Sequence, residues 1–337
     1  MRDDSAAGRW ELAGVDVLGE TRESDRTVGM DRRSRSMPGT MIKENNILKI
    51  NCVILNYNDA DTTMGLVREI CGYQALERIV VVDNASTDDS WQKLVALVDE
   101  CGKVDVLHAE KNGGYGAGNN LGVRYAVNEN GADHVLIANP DVKFSEECLK
   151  ALSGVLARHD DLAAAAASME DATYGAERNG WKLHSFWGEL LAMGPICRRL
   201  FKKFLTYPEA RFEGKKAAYV DAVHGSMLMV DGKIFLDAGG YDEGIFLYQE
   251  EAVLASRLKA KGYKTVLLLN QKYRHEHSVS ISKSFKGQMD RQKLRNDSVL
   301  YYMKKYLSIG PVKEAIAKIW FGVILLEIRV AGMLGVI

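Results

Sequence analysis

From Ile47 onward the chain alternates short apolar runs with segments of helical periodicity. Residues 50–55 form an apolar run that ends in the polar turn Asn56-Tyr57-Asn58, and residues 62–71 then carry apolar positions at helical spacing. Residues 78–83 contain Ile-Val-Val-Val, the pattern of a buried strand, and residues 90–100 read as a helix through Leu94, Leu97 and Val98. A third strand is predicted at 104–108, a helix at 118–128, a fourth strand at 134–138 and a helix at 146–158. Strands that alternate with helices at a spacing of about 25–30 residues are the signature of βαβ units and a parallel sheet. Polar residues collect just after these strands, at the ends where open α/β sheets bind ligands.

The alternation weakens near Ala163. Residues 174–212 read as irregular, with Trp181, Phe186 and Trp187 among them. Short strands are predicted at 218–223 and 226–230, then a helix at 249–261 and a strand at 264–269, so this half should form a mixed sheet and a cleft. Residues 284–318 are basic and carry Tyr301, Tyr302 and Tyr306, and residues 319–337 are apolar apart from Glu327 and Arg329. Two charges near the middle of that stretch argue against a simple span, which needs about 20 apolar residues. A basic stretch followed by an apolar one fits a helix lying on an anionic membrane surface; it fits equally a helical hairpin packed on the domain.

Composition narrows the picture little. The 337 residues are 47% hydrophobic and 26% charged, ordinary for a globular chain. The formal net charge of -1 supplies no global field for nucleic acid, so no nucleic-acid partner is expected. Five scattered cysteines without a C-x-x-C pair argue against a zinc site or a disulfide framework and suit a reducing cytoplasm. Residues 1–46 are polar, of mixed charge and without an apolar signal core, and are expected to be a disordered extension, with Met41 as an alternative start.

Six polar clusters carry candidate chemistry. Asn56, Tyr57 and Asn58 can read or cover a base, or make an ordinary strand-to-helix turn. In Val82-Asp83-Asn84-Ala85-Ser86-Thr87-Asp88, Asp83 is placed to accept a hydrogen bond from a base or ribose, while Ser86, Thr87 or Asp88 can cap the next helix. Asn112-Gly113-Gly114-Tyr115-Gly116-Ala117-Gly118-Asn119-Asn120-Leu121-Gly122 would let a backbone approach a ligand closely, but it is neither a dinucleotide fingerprint nor a Walker loop. Asn139-Pro140-Asp141 presents a hard carboxylate at a strand end, suited to Mg²⁺ or Mn²⁺ once diphosphate oxygens complete the shell. Gly239-Gly240-Tyr241-Asp242-Glu243 precedes Glu250-Glu251, where crowding of two carboxylates would raise one pKa toward the range of a general base. His275 and His277 follow the strand of residues 264–269 and could reach a metal or a diphosphate.

In this order the clusters resemble the family 2 glycosyltransferases of the GT-A fold, most of all the rhamnosyltransferase-like branch that builds bacterial surface polysaccharides. The resemblance covers about residues 50–281 through Tyr57-Asn58, Val82 to Asp88, Asn112 to Gly122, Asn139 to Asp141, Gly239 to Glu243, Tyr248 to Glu251 and His275 to Ser280. It implies a Rossmann-like α/β domain at 47–285 with a mostly parallel central sheet flanked by helices. A C-terminal helical segment at 286–337 follows, for which the basic-then-apolar pattern leaves open a peripheral contact with the inner face of the cell membrane or packing on the domain. It implies that Asp83 with Asn84 reads the base, that Asn112, Gly113, Gly118 and Asn119 flank the nucleotide, and that Asp141 beside Asn139 presents the metal with His275 or His277. Glu251, with Glu250 as the alternative, falls at the position of the base.

The family's Glu-Asp is Glu250-Glu251 here, and its usual Asp two positions later is Val253. The reaction implied is an inverting transfer from a thymidine or uridine diphosphate sugar, carrying rhamnose or another hexose, to a glycan or lipid-linked acceptor. Two other readings compete. A sugar-nucleotide-binding scaffold with impaired catalysis is motivated by Glu251 and Val253. A nucleotidyltransferase would need a basic Gly-rich loop where Asn56-Tyr57-Asn58-Asp59 stands.

Overall fold

The computed structural model describes residues 48–171, 175–177, 179–276 and 287–333. The expected disordered extension at 1–46 and the predicted site residue His277 lie outside the described residues.

The apolar runs of the first half become strands β1 (Ile50–Asn56), β2 (Leu76–Asp83), β3 (Val104–His108) and β4 (His134–Ala138), all parallel in the order β3-β2-β1-β4. Register matters here. Asn56 pairs with Asp83, and Asp83 with His108, so the polar ends of three strands lie abreast. The crossovers contain α1 (Ala60–Ile70), α2 (Ser90–Val95), α3 (Leu97–Glu100) and α4 (Gly114–Asn128). The single helix expected at 90–100 is broken at Ala96. Helix α4 begins four residues before the expected Gly118, and just ahead of it Asn112 Oδ1 accepts the Gly114 N–H at 3.0 Å.

The second half contains β5 (Val142–Phe144), α5 (Glu146–Arg158), β6 (Leu162–Asp171), β7 (Gly175–Glu177) and β8 (Gly180–Trp181). The region expected to be irregular then folds as α6 (Phe186–Met193), α7 (Pro195–Leu200) and α8 (Lys202–Leu205). After it come β9 (Ala217–Val220), β10 (Ala222–Val223), β11 (Met227–Asp231), α9 (Gly232–Asp237), α10 (Glu250–Ala260) and β12 (Lys264–His275). β11 inserts antiparallel between β4 and β6, while β6 runs parallel to β12. The central sheet is therefore mixed, with a parallel half and an antiparallel insertion. β6 was hidden in the sequence because Ala163 to Ala167, all buried, lack the branched side chains that mark a strand. β12 runs six residues past its predicted end through a register shift between Leu268 and Lys272, which carries His275 to the ligand-binding edge.

Two helices close the chain, α11 (Gln288–Tyr306) and α12 (Pro311–Met333). Ala317, Phe321, Ile324 and Ile328 of α12 pack with Val299 and Met303 of α11 and with Phe186, Leu190 and Met193 of α6. Residues from Lys49 onward form one compact unit. No helix among the described residues is long and apolar enough to cross a membrane. Glu327, one of the two charges that interrupt the apolar stretch, accepts the Ile196 N–H at 3.0 Å in the first turn of α7, where a carboxylate complements the helix dipole.

The expectation of five reduced cysteines is corrected. Cys71 and Cys101, which end α1 and α3, form a disulfide 30 residues apart in sequence. The two helix ends also meet through a bidentate Arg68–Glu100 pair at 2.7 and 2.9 Å. Neither proximity is visible in the spacing of the cysteines. Cys52 and Cys148 are buried thiols, and Cys197 is half-buried.

Candidate active site

The strand ends build a polar cluster that is largely self-satisfied. Asn56 Nδ2 donates to Asp83 Oδ1 at 3.1 Å and to Ser86 Oγ at 3.2 Å, and its carbonyl accepts from the Thr63 hydroxyl at 2.9 Å. Asn58 takes a left-handed conformation (φ 54°) and ties the first loop to the second: its side-chain carbonyl accepts the Thr87 N–H at 2.8 Å. Asp83 is fully enclosed. Its carboxylate accepts from the Ser86 hydroxyl and amide and faces His108 Nδ1 at 3.0 Å. In place of an outward carboxylate, the cluster presents His108, half exposed and packed edge-on against Trp91. Of the three capping candidates, Asp88 accepts the Ser90 N–H at 2.9 Å, whereas Ser86 serves Asp83 and Asn56. Tyr57 is half-buried at the end of β1.

From Gly114 onward the glycine-rich segment is the close-packed first half of α4. A Cβ on Gly118 would stand 2.3 Å from Leu55 Cδ1, and one on Gly122 would stand 2.4 Å from Val53 Cγ1. These glycines bring α4 down onto β1 and β2. Asn119, expected at the nucleotide, is buried and donates to the Tyr115 carbonyl at 3.0 Å. Gly113 is the N-cap of α4. Asn84 donates to Asn112 Oδ1 at 3.0 Å and to the Gly114 carbonyl at 3.2 Å, so Asn84 and Asn112 hold the helix start in place. Gly114 (φ 88°) lies so close to the Phe246 carbonyl that any side chain would strike it.

From that start Tyr115 reaches across to the second cluster. Its hydroxyl donates to the Gly225 carbonyl at 2.7 Å, and the Gly225 N–H donates to Glu251 Oε1 at 3.2 Å. Glu250 and Glu251 open α10 after Tyr248 and Gln249, two consecutive residues with φ near +70°. That conformation is costly for non-glycine residues and persists where surrounding structure imposes it. Here the Ser298 hydroxyl of α11 donates to the Leu247 carbonyl at 2.6 Å and the Phe246 carbonyl accepts the Tyr115 N–H. Burial, and then the neighbouring charge of Glu251, pushes Glu250 up to about 8, and its Oε1 is buried without a hydrogen-bond partner. The half-buried Glu251 is the carboxylate hydrogen-bonded at the cleft. Val253, where the family has Asp, is buried with Ile245 and Tyr302.

Glu250, Glu251 and Asn139 line one cleft of about 430 Å³ together with Tyr115, His224 and Glu189. Asp141 Oδ1 lies 3.1 Å from His275 Nε2, and the rings of His275 and His224 are 5.7 Å apart. His224 Nδ1 in turn contacts Ser226 Oγ at 2.9 Å. The structure thus brings Asp141, His275, Asn139, Glu250 and Glu251 into one region, and Asp83 forms a separate cluster with Asn56, Ser86 and His108. His224 and Glu189 were not anticipated. His224 sits in a Val-His-Gly-Ser step between two short strands, which carries no motif signal, and Glu189 lies in the segment read as irregular. Burial pushes Glu189 up to about 7.

The Gly-Gly-Tyr-Asp-Glu cluster turns out to be a clamp. Asp242 accepts from Tyr306 and Lys305, both at 2.7 Å, and Arg257 bonds the carbonyls of Gly239 and Gly240. Burial alone would raise Asp242, but the hydrogen bonds from Lys305 and Tyr306 hold it at about 2. These contacts fasten α11 over the segment that leads into Glu250.

A parallel half-sheet, an antiparallel insertion and a cleft at the strand ends form the GT-A architecture of the nucleotide-sugar transferases. Residues 52–227 match Glycosyl transferase family 2, and the chain belongs to that family. It is 25% identical over 213 residues to the low-salt glycan biosynthesis hexosyltransferase Agl10 of Haloferax volcanii, across 62% of this chain and 61% of that protein. It is 27% identical over 212 residues to the N-acetylglucosaminyl-diphospho-decaprenol L-rhamnosyltransferase of Mycobacterium tuberculosis, across 60% of this chain and 67% of that one. The chain thus spans about three-fifths to two-thirds of the length of these curated relatives. In fold it is similar to the mannosyltransferase PcManGT of Pyrobaculum calidifontis, solved with GDP-Man and Mn2+. That match has a TM-score of 0.54 at 14% identity and covers 85% of this chain and 75% of that one. GalNAc-T7, solved with UDP, GalNAc and Mn2+, gives a TM-score of 0.54 at 13% identity over 79% of this chain and 57% of that one.

Proposed function

We propose that this chain moves a hexose, rhamnose or a relative of it, from a nucleoside-diphosphate donor to a hydroxyl of a glycan or lipid-linked acceptor, with inversion. The observation that carries the reading is Glu251. It is a half-buried carboxylate held by the Gly225 amide in a cleft shared with Asn139 and His224, whose ring meets that of the Asp141 partner His275. In this reading Glu251 takes the proton of the acceptor hydroxyl as it attacks the anomeric carbon. Burial and the neighbouring charge of Glu251 raise the proton affinity of Glu250, and its Oε1 is enclosed, so Glu251 is the base in this reading and Glu250 the alternative. The two curated relatives support a hexosyl or rhamnosyl donor, the mycobacterial one also a lipid-linked acceptor, and the resemblance to the rhamnosyltransferase-like branch implies a thymidine or uridine diphosphate carrier.

The donor set suits a divalent metal. Asp141 offers a hard carboxylate and His275 an imidazole, and no group of three His, Cys, Asp or Glu able to hold a metal is present among the described residues. Two protein ligands with diphosphate oxygens completing the shell match Mg²⁺ or Mn²⁺ bound with its nucleotide rather than in a protein cage. When bound, the metal would offset the negative charge on the departing diphosphate. Release of nucleoside diphosphate from a panel of donor sugars with Mn²⁺ tests the proposal, with Glu251→Gln and Asp141→Ala as controls. Donor binding without turnover across all acceptors would favour the scaffold reading instead.

A further inference from the structure

The segment between the cleft and α12 carries an amphipathic surface of its own. Ile196, Leu200 and Phe204 recur at i, i+4 and i+8 through α7 and α8 and are exposed, Leu200 by 73%. Apolar side chains at that spacing on a small domain ordinarily face a core. Here Leu205 is the residue of α8 that is buried, and the stripe itself is exposed. Between its members stand Arg198, Arg199, Lys202 and Lys203, all exposed. The segment holds four cations and no acidic residue from 195 to 205.

Helix α12 repeats the feature beside it. One face, through Ala317, Phe321, Ile324 and Ile328, is buried against α6 and α11. The other face exposes Ile319, Val323, Leu326 and Val330, again at helical spacing, with Ile319 exposed by 70%. The hydrogen bond from Ile196 N–H to Glu327 places α7 against the turn that carries Leu326 and Val330. Large exposed apolar patches mark an interaction site, and the interleaved cations choose among occupants. A second copy of this chain, of net charge -1 and with the same basic segment, would bring like charges together in a symmetric contact. An anionic bilayer accepts both the apolar side chains and the cations.

The geometry points to α7, α8 and the outer face of α12 as a surface that docks on an anionic lipid bilayer. This deepens the proposed function, on which it rests for the acceptor. Helix α6, directly before α7, contributes Glu189 and Ala192 to the cleft, so the docked surface would lie one short helix from Glu250 and Glu251. A lipid-linked acceptor would then enter the cleft from the membrane side. The sequence alone pointed to residues 284–318 as the basic element; those residues include α11, whose Lys305 is occupied by Asp242.

Vesicle flotation of the full chain tests the inference, on phosphatidylcholine alone and on phosphatidylcholine with phosphatidylglycerol. The wild type should float with the anionic vesicles and be released by salt. Lys202→Ala with Lys203→Ala should weaken binding by roughly 25-fold at low salt, at about fivefold per cation near the surface. Leu200→Glu with Phe204→Glu should abolish flotation, and Val323→Glu with Leu326→Glu should weaken it, all with unchanged Tm and unchanged donor hydrolysis in solution. Failure of the wild type to float would overturn the inference. So would equal flotation of all variants, or a dimer in vesicle-free solution that Leu200→Glu with Phe204→Glu dissolves. Vesicle binding with no donor hydrolysis would sink the proposed function and leave the docking surface standing.

Discussion

Replacing Glu250 by glutamine separates the two adjacent carboxylates by pH. The Glu250 carboxyl is buried, its Oε1 has no hydrogen-bond partner, and burial with the nearby charge of Glu251 raises its proton affinity. Between an ordinary carboxyl pKa of 4.5 and the folded value of about 8, the native state holds a proton that the unfolded chain has released. Excess protons on the native state make stability fall as pH rises, with a limiting slope of about 1.4 kcal/mol per pH unit for one group. From about pH 5 to about pH 7 the wild type should therefore lose roughly 2 to 3 kcal/mol through this residue. The amide of the Glu250→Gln variant imitates the neutral acid at every pH, so that loss should vanish. Any cost of seating the amide without partners shifts the whole curve without tilting it. Urea denaturation of wild type and Glu250→Gln across this range measures the difference in slope, and diphosphate release measures turnover beside it. Glu250→Gln should keep turnover within about tenfold, whereas Glu251→Gln should lose about 100-fold or more, the contribution of a general base. Parallel stability curves, or a crippled Glu250→Gln beside an active Glu251→Gln, would refute the division of roles.

Asp141→Ala should abolish Mn²⁺-dependent donor turnover while leaving Tm close to wild type; wild-type-like turnover would remove its metal role. Gly122→Ala should destabilise by about 1–3 kcal/mol, since its Cβ would lie 2.4 Å from the stiff Val53 side chain. Gly65→Ala, with open space around it in an exposed turn of α1, should stabilise by about 0.5–1 kcal/mol; similar Tm shifts for both variants would contradict the packing assigned to α4. Reducing the Cys71–Cys101 bond should cost roughly 3 to 4 kcal/mol, the chain-entropy value for a 30-residue loop. Unchanged denaturation in reductant would show that the bond adds nothing to stability.

The parallel half of the fold was legible because β1, β2 and β4 are dense in Val, Ile and Leu and are separated by helical periods. β6 was not, since a run of alanines satisfies burial against α5 without any strand preference of its own. The site divides in the same way. Positions at strand ends were readable, but the partners of each polar side chain were not, because those partners come from distant loops through register: Asn56 meets Asp83, Asp83 meets His108, and Asp141 meets His275 across 134 residues. A motif rich in Asn and Asp is therefore held in place largely by hydrogen bonds among its own members. The glycines of α4 illustrate the same ambiguity, for a missing Cβ admits a strand's side chain as readily as a nucleotide. The amphipathic stripe at 196, 200 and 204 was present in the sequence but was broken up by Gly194, Pro195 and Pro208, which made its surroundings read as loop. Helix α12 is the converse case. It is apolar on both faces, a pattern that belongs either to a helix buried all round or to one with an apolar solvent. The structure buries one face against α6 and α11 and exposes the other beside the cations of α7 and α8, the surface for which an anionic bilayer is proposed above.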